Sequence, residues 1–310
     1  MNRGRSFLLL LAVAAGIGAY VWFVEMNREP GAGDEVPRET LFTVEASQIQ
    51  EVRITNEAGE QSTLKRAGDR WMLAEIAGVQ ADETEAGSIV TSLAGLEASR
   101  VVDEQPASLA EYGLDPPRIT ASFTDAAGKQ QTLFIGSRTP TGGDLYARLA
   151  DSPRVVLIGS YLEETFNRSR FDLRDKSVID FPRDAVSAIT ITNASGTIAL
   201  SRANGAWRMT TPSEAPAEDP IVEALISRLS SARMQSIVDS PDAAKMGLAK
   251  PAATVAVTAG PTRAVLEIGG PAGEGSVYAR DPARNLVFTV ESSLADELTK
   301  KPEEFRKQDQ

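Results

Sequence analysis

Apolar and polar residues alternate in short runs, and the same succession of runs occurs twice. Val52 and Ile54 alternate with polar neighbours, a turn is predicted at Glu57 to Gly59, and Thr63 to Arg66 leads to Trp71 and Leu73. This period-two pattern predicts a hairpin of strands with one buried face. Ile189 and Ile191, Ser195-Gly196, Ile198, Leu200, Asn204-Gly205 and Trp207 repeat it in the same order. The apolar spacing then lengthens to three and four residues. Ile89, Val90, Leu93 and Leu96 form one helical stripe, and Ile221, Leu225, Ile226 and Leu229 form another. Asp82, with Glu85 completing a capping box, is read as the cap of the first helix. Asp219, followed by Pro220 at the first helical position, is read as the cap of the second. Beyond the helices, Gly113 in YGLDPP and Gly247 in MGLAKP predict turns with positive φ. Ile119, Ala121 and Phe123, and likewise Val255 and Val257, then point to one side of a strand. Two more strands and a short helix close each succession.

Four echoes therefore recur in one order: the strand pair ending in tryptophan, YGLDPP against MGLAKP, LFIG against LEIG, and LYAR against VYAR. Their offset falls only from about 137 to about 132 residues, with the length changes at glycine-rich turns, which is the signature of a duplicated domain. The predicted fold class is α+β, with two tandem homologous repeats following an N-terminal transmembrane helix. Each repeat is a mainly antiparallel sheet with one longer and one short helix. The predicted divisions are an anchor at 1–25, a linker at 26–40, a first repeat at 41–180 and a second at 181–310.

The anchor rests on Phe7 to Val24, an uncharged run of 18 residues preceded by Arg3 and Arg5. That length spans a bilayer, and the flanking cations predict a cytoplasmic N-terminus with the bulk of the chain outside. A cleaved signal peptide is the rival reading, although Tyr20, Trp22 and Phe23 occupy the place where a small-residue cleavage site would stand. Ala12 and Gly16, Ala14 and Gly18, and Ala15 and Ala19 have the small-xxx-small spacing that lets a second membrane helix approach, or are simply the small residues common in such helices. The charged, Pro- and Gly-containing segment Glu25 to Thr40 reads as a tether.

Composition narrows the chemistry. The chain of 310 residues has no histidine and no cysteine, which removes the usual neutral-pH base, the thiol nucleophile, disulfides and the common zinc ligands. Its net charge of -11, without a clustered basic run, argues against nucleic acid as a partner. Neither a nucleophile elbow nor a phosphate loop is present, and the glycine-rich loops Thr139 to Asp144 and Gly269 to Ser276 lead into strands, where a phosphate loop would lead into a helix. No catalytic residue, metal site or cofactor is expected.

Several side chains remain as candidates for contact. Arg148 and Arg280 close matching Tyr-Ala-Arg triplets and are read either as a buried ion pair or strand-edge contact, or as an anion or partner contact. Arg170, Arg174 and Lys176 belong to a basic strap that ends the first repeat, echoed by the Phe-Arg-Lys near the C-terminus; Phe171 and Phe305 are expected to anchor the straps while their cations stay solvated. Trp71 and Trp207 are read as core residues.

The succession of hydrophobic segment, strand pair ending in tryptophan, acidic-capped helix, YGLDPP, LFIG, YAR and FDLRDKS resembles the bacterial domain-of-unknown-function family 4340, from Leu41 onward. The second copy departs from it at Met246 and at Ala249-Lys250. Because members of that family are often encoded beside ABC-type permeases and gliding-motility-type auxiliary proteins, the resemblance implies a non-catalytic accessory subunit of an export or envelope complex in the bacterial inner membrane. No catalytic residues come with it. Two other readings stay open: a periplasmic module binding a glycan, lipid or peptide between the repeats, and an envelope hydrolase that uses paired carboxylates.

Overall fold

The computed structural model describes Tyr20, Trp22 and residues 39–307. The predicted membrane-helix packing residues Ala12, Ala15, Gly16, Gly18 and Ala19 lie outside the described residues, as does most of the predicted span. Among the described residues, no helix is long and apolar enough to cross a membrane. Two compact units are formed. Of the described residues, one takes those up to Gly78 together with Glu83–Arg170, and the other takes Val79–Asp82 together with those from Phe171 to Lys307.

In the first unit, β1 (Glu39–Thr40) precedes the meander β2 (Ile49–Thr55), β3 (Gln61–Ala67) and β4 (Arg70–Leu73). Helix α1 (Glu83–Ala94) then leads to the short strands β5 (Glu97–Ala98) and β6 (Arg100–Asp103). A second meander follows: β7 (Ile119–Asp125), β8 (Gln130–Arg138), β9 (Asp144–Leu149) and β10 (Val155–Gly159), closed by α2 (Leu162–Phe166). The eight-stranded sheet has the order β4-β3-β2-β7-β8-β9-β10-β6, so α1 carries the chain from one edge of the sheet to the other. Glu39 and Thr40, read from sequence as the end of the tether, pair with β5, and Arg154 holds the Glu39 carboxylate at 2.7 Å.

A single helical turn, α3 (Arg170–Leu173), starts at the last residue of the first unit and leads into the second unit. It continues through β11 (Val186–Asn193), β12 (Gly196–Ala203), β13 (Ala206–Thr211), β14 (Ala215–Pro216) and α4 (Asp219–Ser231). After β15 (Ser236–Ile237) come β16 (Ala253–Ala259), β17 (Thr262–Gly273), β18 (Ser276–Asp281), β19 (Leu286–Glu291) and α5 (Ser292–Leu298). Its sheet order is β14-β13-β12-β11-β16-β17-β18-β19-β15. Strand for strand this is the order of the first unit, with β14 added, and the duplication read in the sequence is a duplication of topology. Both units are α+β, dominated by antiparallel sheet.

The period-two reading holds where it was made. Ile119, Ala121 and Phe123 are buried, as are Val255 and Val257; of their alternating neighbours Thr120 and Thr254 are partly exposed, whereas Ser122 and Ala256 are buried as well. Ala86, Ile89, Val90 and Leu93 form the buried face of α1, while Val222, Leu225, Ile226 and Leu229 form that of α4. Each of these large apolar side chains contributes about 1.5–3 kcal/mol by leaving water. The Asn204-Gly205 turn between β12 and β13 has positive φ at both residues, the backbone that a two-residue hairpin demands.

One cap differs from expectation. Asp219 is the first residue of α4 and Glu218 precedes it as the cap, without a side-chain capping bond. The carboxylate of Asp219 instead accepts the backbone N–H of Trp207 at 2.8 Å, and Glu83 does the same for Trp71 at 3.1 Å. In both units the acidic start of the helix is used to fix the last hairpin strand.

Two sequence echoes turn out to be one device. Gly113 ends its turn at φ 66°, and a Cβ there would lie 2.9 Å from the backbone nitrogen of Ser137, while a Cβ on Gly136 would overlap the Tyr112 carbonyl. In the second copy a Cβ on Gly247 would lie 2.7 Å from the Gly270 nitrogen, and the Gly270 N–H donates to the Met246 carbonyl at 2.8 Å. The GL turn and the IG strand end thus meet backbone to backbone, and only glycine permits the approach.

Candidate functional site

The positions shared by the two copies are occupied in holding the fold. Trp71 and Trp207 are buried, and Arg66 and Arg202 each lie 5.8 Å from the ring on the paired strand. The motif behind this, R-A-x-x-x-W, is present in both copies and went unread in the sequence. Trp207 Nε1 donates to Glu223 at 2.9 Å, and Arg202, Asp219 and Glu223 line a cleft of about 460 Å³ together with Arg183 and Asp184. A second unread pair is Asn56 and Asn193, the asparagines of the two I-T-N runs. Asn56 donates to the Arg168 carbonyl, and Asn193 donates to the Leu298 and Lys300 carbonyls at 2.9 and 3.0 Å. Each asparagine ties the hairpin turn to the chain leaving the short helix.

Arg148 and Arg280 occupy one slot with different neighbours. Arg280 pairs with Glu267 directly across β17 and β18, with a 2.6 Å bond from Nε, and donates to the Leu248 carbonyl. Arg148 lies over Phe134, which holds the place of Glu267, with 4.9 Å between guanidinium and ring, and donates to the Leu149 and Ser152 carbonyls. In both copies the arginine reaches across to the neighbouring interior strand, with an ion pair at Arg280 and a ring contact at Arg148, and both guanidinium-bearing residues are only partly buried.

The strap departs from expectation at Arg174. Rather than staying solvated, Arg174 is 7% exposed, and its backbone bridges Ala81. Leu173 is the fully buried anchor beside it, whereas Phe171 is half-buried. The reason is that the strap is a pairing segment: Asp82 donates to the Leu173 carbonyl and Asp175 to the Gln80 carbonyl, both at 2.9 Å. Burial pushes the Arg174 guanidinium below its ordinary pKa, and the charge of Arg284 adds to this against the opposing field of Asp175. Arg170 donates to the Gln61 carbonyl at 2.8 Å. Lys176 donates to the Asp172 carbonyl at 2.8 Å and lies 5.8 Å from the Phe171 ring. In the other strap Phe305 is buried as expected.

The remaining concentration of charge belongs to the first unit alone. Glu163 on α2 is 9% exposed, and both of its oxygens are engaged: Arg118 donates to one at 2.7 Å and Arg138 to the other at 2.5 Å. Arg118 also forks onto both oxygens of Glu57, at 3.0 and 2.9 Å. Burial by itself would raise the Glu163 carboxyl, but the two guanidinium groups outweigh it and hold the carboxyl below the ordinary range. It therefore stays ionised as an acceptor and is unsuited to act as an acid near neutral pH. Arg138, Glu163, Glu164, Asn167 and Arg168 line a cleft of about 610 Å³.

Sequence reasoning missed this network because its members are 25 to 61 residues apart. A contrast between the copies would have found it. The topologically equivalent residues of Glu57, Arg118, Arg138 and Glu163 are Ala194, Ala252, Pro271 and Ala295. The same sheet and helices form there without the charges, so the fold does not require them. Among the described residues there is no group of three or more acidic side chains arranged to hold a metal ion.

No curated protein and no solved structure matches the chain. A family model described as Domain of unknown function (DUF4340) matches residues 71–206 and again 207–309. The two matches begin at Trp71 and Trp207, the same position of the repeated topology. With two consecutive matches covering most of its length, the chain belongs to the DUF4340 family.

Proposed function

We propose that the protein is a non-catalytic accessory subunit of a bacterial ABC-type export or cell-envelope complex, held at the inner membrane by residues 7–24 with its two units on the extracytoplasmic side. The observation that carries this reading is how the side chains shared by both copies are used. The tryptophans, their stacked arginines, the turn asparagines and the facing glycines all build the scaffold. What the duplication preserves is a supporting structure, and the uncharged N-terminal run supplies a means of holding it beside membrane-embedded partners. Extraction of the tagged full chain in mild detergent, followed by identification of co-purifying proteins, tests this. Recovery with a permease is the expected result, and a lone monomer across several detergents sinks the proposal.

A further inference from the structure

The cleft of the first unit has an unusual balance of used and unused hydrogen-bonding groups. Arg138 uses only Nε, on Glu163, so neither terminal nitrogen has a partner among the described residues. Asn167 accepts the Glu57 N–H through Oδ1, and its amide nitrogen is likewise unused. Arg168 meets Glu85 at 3.1 Å through one terminal nitrogen, while its buried Nε has no partner. Beside these donors stands the exposed carboxylate of Glu164, which has no ion pair among the described residues; Glu163, Glu57 and Glu85 are already engaged by arginine. The cleft therefore combines unused N–H donors on Arg138, Asn167 and Arg168, the two arginine charges being already met by Glu163 and Glu85, with a carboxylate, Glu164, that has no ion pair among the described residues. A simple anion would satisfy the donors and be repelled by Glu164, and a simple cation would meet the reverse conflict.

We infer that this cleft binds a small zwitterionic phosphate ester, its phosphate held by Arg138, Asn167 and Arg168 and its ammonium group by Glu164. Three side chains presenting several N–H groups suit a tetrahedral phosphate better than a planar carboxylate, which has only two oxygens to receive them. Arg138, Asn167, Arg168 and Glu164 all line the same open cleft, so one small molecule can meet them together. Glu163 acts as a positioning residue, fixing the Arg138 fork from behind and cancelling the charge that would otherwise favour any anion. The second copy has Pro271 and Ala295 at the places of Arg138 and Glu163 and is predicted not to bind, so a single site per chain is expected.

The test is calorimetric titration of the full chain in non-ionic detergent micelles with phosphoethanolamine, and separately with inorganic phosphate and ethylammonium. Phosphoethanolamine is expected to bind at one site and at least ~tenfold more tightly than phosphate, the scale of one charge-assisted contact. Glu164→Gln, an exposed substitution that leaves the fold intact, should bring the ester down to the affinity of phosphate. Arg138→Gln should weaken both, with an unchanged melting curve showing that folding is retained. Short-chain phosphatidylethanolamine in the same micelles separates the sources: tighter binding than the free ester points to a lipid headgroup, and equal binding to a soluble ester. Absence of ester binding at millimolar concentration overturns the inference, as does equal binding of phosphate or indifference to Glu164→Gln. A chain that purifies without partners would still bind, so this result is separable from that of the accessory role.

Discussion

Single side chains differ between the copies in ways that isolate their energetic roles. Replacing Glu163 with Gln removes the charge that Arg118 and Arg138 converge on. Since Arg138 is half-exposed and water compensates it in part, the expected loss at neutral pH is about 1–2 kcal/mol. The folded carboxyl lies below its unfolded value, so its stabilisation is fully present above the ordinary glutamate pKa of about 4.3 and disappears as pH falls through the folded value. The stability gap between wild type and Glu163→Gln should accordingly narrow in acid, as measured by denaturant unfolding across pH; a gap independent of pH would show that packing, and no charge, is responsible. Ser62 offers the opposite case. Its hydroxyl is buried without a partner on the inner face of the sheet, next to Ile54, where the second copy has Ile198 next to Ile191. Ser62→Ala is expected to stabilise the protein by about 0.5–1 kcal/mol, by deleting an unsatisfied polar group without adding volume. A lower melting temperature would mean that the hydroxyl has a partner, such as an ordered water.

Among the elements, the facing glycines set the most demanding local geometry. Gly113→Ala combines positive φ with a Cβ pressed into the Ser137 backbone, and should cost about 3 kcal/mol or more. Gly59→Ala keeps a similar φ of 78° but meets nothing within 4 Å, so about 1–2 kcal/mol is expected. Equal losses in thermal unfolding would mean that the close approach is not a constraint. This contrast also marks what the sequence could disclose. Long strands and helices were legible because burial on one face writes a period into the chain, as at Ile119 to Phe123 and Ile89 to Leu93. The edge strands β5, β6 and β15 were not, because two to four residues are too short to display a period. Nor did spacing along the chain reveal that YGL and FIG touch, or that Arg118 reaches Glu57 and Glu163 at once. Such contacts depend on the order of strands in the sheet, which local pattern leaves open.

At the scale of the whole molecule, the repeat and the compact unit begin at different residues. The pattern starts again near 181, yet the second unit takes the chain from Phe171 and also claims Val79–Asp82. The cause is the strap: Met234 donates to the Lys176 carbonyl, Val178 to that of Ala232, and Arg284 to those of Ser177 and Val178, while the strap's other bonds hold Gln80 and Asp82. The strap is therefore a structural part of the first repeat even though it packs with the second. A fragment spanning 39–180 retains the Asp82 to Leu173 and Asp175 to Gln80 bonds, whereas one ending at 170 loses both. With its own eight-stranded sheet and helix, the longer fragment contains a complete core and is expected to melt cooperatively. The shorter one should be less stable by at least ~2 kcal/mol, the combined scale of two backbone hydrogen bonds and the burial of Leu173. Circular dichroism melts of the two fragments measure the difference. If they melted together, Val79–Asp82 would gain nothing from pairing with the strap; a clear separation would show that the first repeat draws stability from the segment 171–180.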